Sequence, residues 1–495
     1  MGDLLQALMA SISPYNLLVC ALGVIGGIIV GAIPGLTANL GVALLVPFTF
    51  AMEPETGLIM LGGIYTGAIY GGSISAILIN APGTPSAAAT TFDGYPMGQK
   101  GEARLAIGTA TLSSAIGGIF SVIVLAFFAP FLAKQALRFG PPEYFALAFF
   151  GLTIIISLSE DNMIKGLISG VFGLLIATIG MDPVEGVMRF TFRNINLISG
   201  IALVPLLIGL FSICEAMLLG KSTTSKKDLA EIKGRLLPTK EELKRNAGNF
   251  TISSIIGTAI GILPGAGASV AAFVSYNEAK RRSKHPEKFG TGIVDGIIAS
   301  EASNNACVGG SLVPLLTLGI PGNAVSALFL GALLIQGLRP GPDLFTGNNA
   351  KIMWIFFAGL LVAQLFMLLF GLFGAGYFAK VLFLPKPILI SYILVLCVTG
   401  AFAINNNIFD VGVMFVFGMI GLLYKLLKIP ASPTVLAIIL GPMAETGLRQ
   451  SLMMSNGNPS IFFTRPLSLL FLVIGVGSII LPLVRKKKKN ANLAE

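Results

Sequence analysis

"GAIPGLTANLGVALLVP" occupies residues 31–47. It sits in an apolar stretch, yet glycine and proline punctuate it. Broken backbone in hydrocarbon leaves polar groups unpaired. "GILPGAGASVAAFVSY" at 261–276 repeats its opening, so that Pro34-Gly35 aligns with Pro264-Gly265. A second pair follows each. "YGGSISAILINAPGTPSA" (70–87) matches "VGGSLVPLLTLGIPGNAVSA" (308–327). Gly71-Gly72-Ser73 and Gly309-Gly310-Ser311 each lead through an apolar run to Pro82-Gly83 and Pro321-Gly322. Two ordered motif pairs at nearly one offset form an internal repeat, the mark of a transporter fold in a membrane chain.

Composition agrees. The chain has 495 residues, 54% hydrophobic and 11% charged, against about 25% charged in soluble domains. Mean hydropathy is +0.86. Apolar runs recur at Leu105–Ala133, Leu197–Leu219, Ile352–Ala379 and Leu467–Val484. These predict an all-α polytopic membrane protein with roughly ten to twelve transmembrane helices, inverted internal repeats and broken helices or hairpins. A β-barrel would alternate instead.

Residues 221–247, "KSTTSKKDLAEIKGRLLPTKEELKRNA", divide the membrane halves 1–220 and 248–484, and a basic tail follows at 485–495. The positive-inside rule places 221–247, "KRRSKHPEKFG" (280–290) and "RKKKKN" (485–490) in the cytoplasm. The net charge of +10 is thereby a topology signal rather than a nucleic-acid one. After the first repeat motif, "FAMEPETG" (50–57) carries Glu53 and Glu55 and no Lys or Arg, where half two has the basic 280–290 stretch. Opposite charge bias in equivalent loops argues that the repeats are inverted. Residues 1–99 contain no Lys or Arg, unlike the basic start of a signal peptide.

In inverted-repeat transporters, paired Gly/Pro interruptions mark the binding site. Freed N–H groups favour anions and freed carbonyls suit Na⁺. The motif segments supply Thr37, Asn39, Ser73, Ser75, Asn80, Pro82, Gly83, Thr84, Ser269, Asn304, Asn305, Ser311, Thr317, Pro321, Gly322 and Asn323 as substrate or ion ligands. Pro34, Gly35, Gly71, Gly72, Pro264, Gly265, Gly309 and Gly310 form the backbone motif. No Lys or Arg occurs between Asn246 and Ala279 or between Phe289 and Leu338. A buried polyanion there needs a co-transported cation. Glu301, in "DGIIASEASNNACVGGS", is the candidate coupling group. Asn405-Asn406-Asn407 reads as an interfacial turn.

Other classes fare poorly. Cys20, Cys214, Cys307 and Cys397 lie in apolar runs at no metal-ligand spacing and read as reduced and buried. His285 is the only histidine and sits in a basic loop, so an intramembrane serine nucleophile lacks a base. No P-loop, zinc or haem spacing occurs. The chain is read as no enzyme, with no cofactor beyond a co-transported Na⁺.

"GAIPGLTANLGVALLVP", "YGGSISAILINAPGTPSAAATTFDGYPM", "GILPGAGAS" and "EASNNACVGGSLVPLLTLGIPGN" resemble the large membrane subunit of the tripartite tricarboxylate transporters, the TctA family. The resemblance covers nearly the whole chain. It implies a secondary transporter of the bacterial inner membrane, driven by an ion gradient and typically carrying citrate or another small carboxylate. It also implies two partners, a small TctB-like membrane subunit and a TctC-like periplasmic binding protein.

Overall fold

Each half of the chain folds through the same series of elements. A computed structural model describes residues 7, 9–157, 163–221 and 234–491. The middle of the expected 221–247 linker and the end of the 485–495 tail lie outside these residues. In half one, α1 (Pro14–Ala32) breaks into α2 (Ala38–Thr49). Then α3 (Pro54–Ile79) breaks into α4 (Thr91–Gln99), and α5 (Ala103–Ala136) follows. Helices α6 (Pro141–Ser157), α7 (Met163–Ala177) and α8 (Leu203–Gly220) complete the half. Half two repeats the series. Helix α9 (Ala247–Ile262) breaks into α10 (Gly267–Arg282), α11 (Val294–Leu318) into α12 (Ala324–Ile335), and α13 (Gly347–Ala379) follows. The remainder is α14 (Lys386–Asn405), α15 (Ile408–Leu427), α16 (Ser432–Met454) and α17 (Pro466–Ala491).

Glycine spacing fixes how these helices meet. Gly23, Gly27 and Gly31 of α1 lie against the backbone at Met60, Ile64 and Ala68 of α3. The numbers rise together, so α1 and α3 run parallel. Gly63, Gly67 and Gly71 of α3 lie reciprocally on the α1 backbone at Cys20, Val24 and Ile28. Small residues at every fourth position let membrane helices approach this closely. Helix α2 runs back along α3, with Gly41 beside Ile64 and Gly57 beside Thr49. α1 and α2 are therefore a hairpin whose tip is residues 33–37. In half two, Gly257 meets Ser303 and Gly261 meets Cys307, so α9 and α11 run parallel. Tyr276 of α10 meets Gly296, and α9–α10 forms the second hairpin, with its tip at 263–266.

The halves are inverted relative to each other. Tyr65 meets Ser311, and Ser73 faces Glu301, so α3 and α11 run antiparallel. They are also the centre of the molecule: the apolar window of α3 is 94% buried, against 22% for α14. The halves interlock. α5 of half one packs on α11, with Gly117 against Ala302, and α13 of half two packs on α3, with Gly359 against Ile59.

Seven described helices are long and apolar enough to cross a membrane on their own. Five more are apolar but shorter, and three of these, α2, α9 and α12, adjoin the breaks. Phe127, Phe373, Leu423 and Val473 leave apolar flanks exposed, as suits lipid contact. The chain is a multi-pass membrane protein. All four cysteines are free and buried. His285 is exposed beside Glu287 at 3.3 Å. Asn406 ends α14 in a left-handed turn and Asn407 caps α15, so the asparagine run is a turn.

A two-stranded hairpin, β1 (Gly180–Met181) and β2 (Met188–Arg189), is pinned to α16. Arg449 meets Asp182 at 2.6 Å, and Arg189 meets Glu445 at 2.6 Å. The Val184 N–H and the Arg449 guanidinium hold the Asp182 carboxyl down at about 2. Unfolded, it titrates near about 4. Its contribution to stability is thus complete above about pH 4 and is lost as pH falls toward 2. In melting curves, wild type should exceed Asp182→Asn by a constant margin at neutral pH, and the margin should close below about pH 4. A margin unchanged at acid pH would remove the ionised pair.

Candidate functional site

The repeated motifs come together because their glycines leave no room for side chains. Helix α3 ends at Asn80, which is exposed and left-handed (φ 53°). Ala81 to Thr84 then run without helix, and a single turn, Pro85–Ala87, precedes α4. The Gly83 N–H bonds back to the Gly72 carbonyl at 3.2 Å. A methyl group on Gly83 would strike the Gly31 carbonyl, and one on Gly72 would strike Thr84. The end of α1, just before the first hairpin tip, and the first break are thus in contact. Half two does the same through a backbone bond. Gly265, in its own left-handed turn (φ 85°), donates its N–H to the Gly322 carbonyl at 2.8 Å. Gly322 lies against Gly261 and Ser311. In half two the Pro-Gly pairs therefore meet each other directly, and in half one Gly83 meets the end of α1.

Contacts across the halves come from the neighbouring polar side chains. Asn323 caps α12 reciprocally with Ser326, and its Nδ2 donates to Tyr65 Oη at 2.8 Å. Tyr65 also meets Ser311 Oγ at 3.2 Å. Asn304 Nδ2 reaches the Ser86 carbonyl at 3.4 Å. Glu301 is fully buried. It accepts from Thr90 Oγ1 and, at 3.0 Å, from Ser114 Oγ. Ser73 and Asn304 lie beside it, and no Lys or Arg does. Ser73 Oγ, Asn304 Oδ1 and both polar atoms of Asn305 are buried without a regular hydrogen bond. Such groups are rare in a folded chain, and each calls for an explanation such as a ligand or ion.

The other expected ligands have local partners. Thr37 caps α2 through Leu40 N, Ser75 bonds the Gly72 carbonyl, Thr84 meets Ser86, and Thr317 bonds the Val313 carbonyl. Asn39 and Ser269 are half-buried on the hairpin arms. Pro34 and Gly35 sit at the first tip, where Gly35 is exposed with φ 92°. Pro264 and Pro321 are buried beside the second tip and break. Gly71 packs on Ile28, Gly309 on Ser121 and Gly310 on Thr258. The buried polar cluster is therefore Ser73, Glu301 and Asn304, with Thr90 and Ser114 on the carboxylate and the buried Asn305 next along α11; Tyr65 belongs to a second cluster with Ser311 and Asn323.

Thr90, Ser114 and Tyr65 were missed in the sequence, as were Gln364 and Asp93. Gln364 is buried on α13, donates to Thr66 at 3.2 Å and leaves Oε1 without a partner. Its signal was legible, since it is the only amide in Ile352–Ala379. Among the described residues, no three His, Cys, Asp or Glu side chains cluster as metal ligands.

A family model described as "Tripartite tricarboxylate transporter TctA family" matches residues 17–436. The chain belongs to that family. The chain is also similar to two proteins of Agrobacterium vitis. An uncharacterized 52.8 kDa protein in the TAR-I ttuC' 3' region is 38% identical over 98% of this chain and 97% of its own length. An uncharacterized protein in the TAR-II ttuC' 3' region is 37% identical over 47% of this chain and 97% of its own. No solved structure matches.

One residue secures the site to the basic face of this TctA-family chain. Asp93 Oδ1 accepts the N–H groups of Gly290, Gly292 and Ile293 at 2.8–3.1 Å, and Oδ2 accepts from Tyr276 Oη at 2.8 Å. Asp93→Ala should raise amide hydrogen exchange at these three residues by about tenfold or more, the worth of one charge-assisted bond each. Unchanged exchange would mean that backbone packing alone holds the loop.

Proposed function

We propose that this chain is the large permease subunit of a binding-protein-dependent secondary transporter importing citrate, another tricarboxylate or a related small carboxylate. A cation gradient drives it, with Na⁺ favoured over H⁺. The observation that carries the reading is the buried cluster of Ser73, Asn304 and Asn305, with atoms left to bond, around a carboxylate with no Lys or Arg beside it. Hydroxyls and amides supply donors for a carboxylate and hard oxygen ligands for Na⁺. The anion's charge then has to be met by a cation entering with it. Glu301 is the coupling group, carrying a proton or helping to hold Na⁺.

Family membership supports a transport component with no catalytic nucleophile. It supports two partners, a small TctB-like membrane subunit and a TctC-like periplasmic binding protein. The site sits between the two Pro-Gly repeats, in the bacterial inner membrane. The 221–247 segment and the C-terminus are cytoplasmic by the positive-inside rule.

Uptake of radiolabelled citrate, in cells carrying the chain with both partners, tests this with and without a Na⁺ gradient. Saturable, Na⁺-dependent uptake is expected. Uptake that an uncoupler abolishes would move the coupling to protons. No citrate uptake would send the cargo to a dicarboxylate or aromatic acid, and unsaturable flux would indicate a channel. Ser73→Leu and Asn304→Leu should each lower uptake about ten- to hundredfold with membrane insertion intact, the worth of a bond to a charged ligand. Normal uptake in both would sink the site. Glu301→Gln should change the cation dependence, and an unchanged response would leave Glu301 a structural group.

A further inference from the structure

The arms of the second hairpin splay at the basic face and enclose a cavity of about 680 Å³ with the starts of α5 and α11. This is the size of a small-molecule site, about 300–1,000 Å³. Its acids are mostly committed. Glu242 pairs with Arg235 at 2.7 Å, Asp295 with Arg245 at 3.3 Å and Glu278 with Arg281 at 2.8 Å. Its remaining cations, Arg282, Lys284 and Lys288, form no ion pair among the described residues, and Glu102 is the one acid left to set against them. The excess is positive. Ser275 lines the same cavity; it is 1% exposed, and its Oγ has no partner.

The cavity also abuts the site. Gly292 and Ile293, which Asp93 holds through their N–H groups, form part of its wall. One turn earlier on the same segment, Thr90 bonds Glu301. Only α4 and the 290–293 loop separate the two spaces.

We infer that this cavity is an anion-binding vestibule, which holds a small polycarboxylate at the basic face next to the site between the breaks. The inference rests on the transport reading above. Cations in the lining raise the local concentration of an anion, and the buried hydroxyl gives it a fixed donor. The same chemistry would accept a phosphate, free or on a lipid headgroup, so the test separates these.

The measurement is equilibrium binding of radiolabelled citrate to the full chain with the small membrane subunit in phosphatidylcholine nanodiscs, without the binding protein, which would bind citrate itself. The Asn304→Leu background disables the site between the breaks. One citrate-binding event should remain there. The R282Q/K284Q/K288Q triple variant should weaken it about tenfold, the sum of three modest surface interactions. Glu102→Gln should tighten it. No remaining binding, or binding indifferent to the triple variant, would overturn the vestibule. Equal displacement by inorganic phosphate would overturn the polycarboxylate assignment. Loss of citrate binding in phosphatidylglycerol nanodiscs would assign the cavity to lipid. Failure of the transport reading would be seen separately, as absent or unsaturable citrate uptake by the wild-type chain with both partners.

Discussion

A backbone that leaves helical geometry inside a bilayer must find partners for the N–H and C=O groups it releases. The chain does so four times, at residues 33–37, 80–90, 263–266 and 319–323. Its solution is to set breaks against each other. Gly83 N–H turns back to Gly72, and Gly265 N–H crosses to Gly322. Neither approach tolerates a Cβ at the position where the backbones touch. The glycine rows on α1, α3, α9 and α11 extend the same requirement along the helices. They bring each hairpin close enough to its broken helix for the tips and breaks to meet.

This arrangement leaves each half incomplete. The long helices α5 and α13 each pack on the broken helix of the other half. Tyr65 of half one serves Ser311 and Asn323 of half two, while Thr90 and Ser114 of half one serve Glu301 of half two. The polar centre therefore exists only when both halves are in place. The two sides are not chemically equal, however. One crossing is a neutral Tyr–Ser–Asn cluster, and the other surrounds a carboxylate. The inverted repeat has placed Glu301 on one side only.

Much of this was legible in the sequence. The Pro-Gly and Gly-Gly-Ser pairs marked the breaks, because only glycine and proline report backbone that departs from a helix. The opposite charges of 50–57 and 280–290 marked the inversion, which the antiparallel α3 and α11 display. Partnership was harder to read. Thr37 and Asn323 stood out as polar residues in apolar runs, and both also cap helices, since a residue that begins a helix after a break must satisfy its free N–H groups. Thr90 and Ser114 lie 211 and 187 residues from the carboxylate they serve. No local pattern records a pairing across that separation. Asp93 carries no local signal, and only the fold reveals its four donors, three in the 288–293 loop and Tyr276 of α10.

The carboxylate sets the terms for whatever chemistry the centre performs. An ionised side chain taken out of water costs several kcal/mol even after relaxation, on the order of what two hydroxyl donors return only in part. Glu301 has hydroxyl donors in Thr90 and Ser114, Ser73 and Asn304 beside it, and no Lys or Arg among the described residues. Under the proposed function its charge is cancelled by a mobile species, either a proton or a metal cation. A multiply charged anion brought to Ser73, Asn304 and Asn305 raises the same demand again. Under the proposed function, anion occupancy and cation occupancy are linked through one electrostatic deficit, which arises because the repeat keeps fixed cations out of the segments that must break.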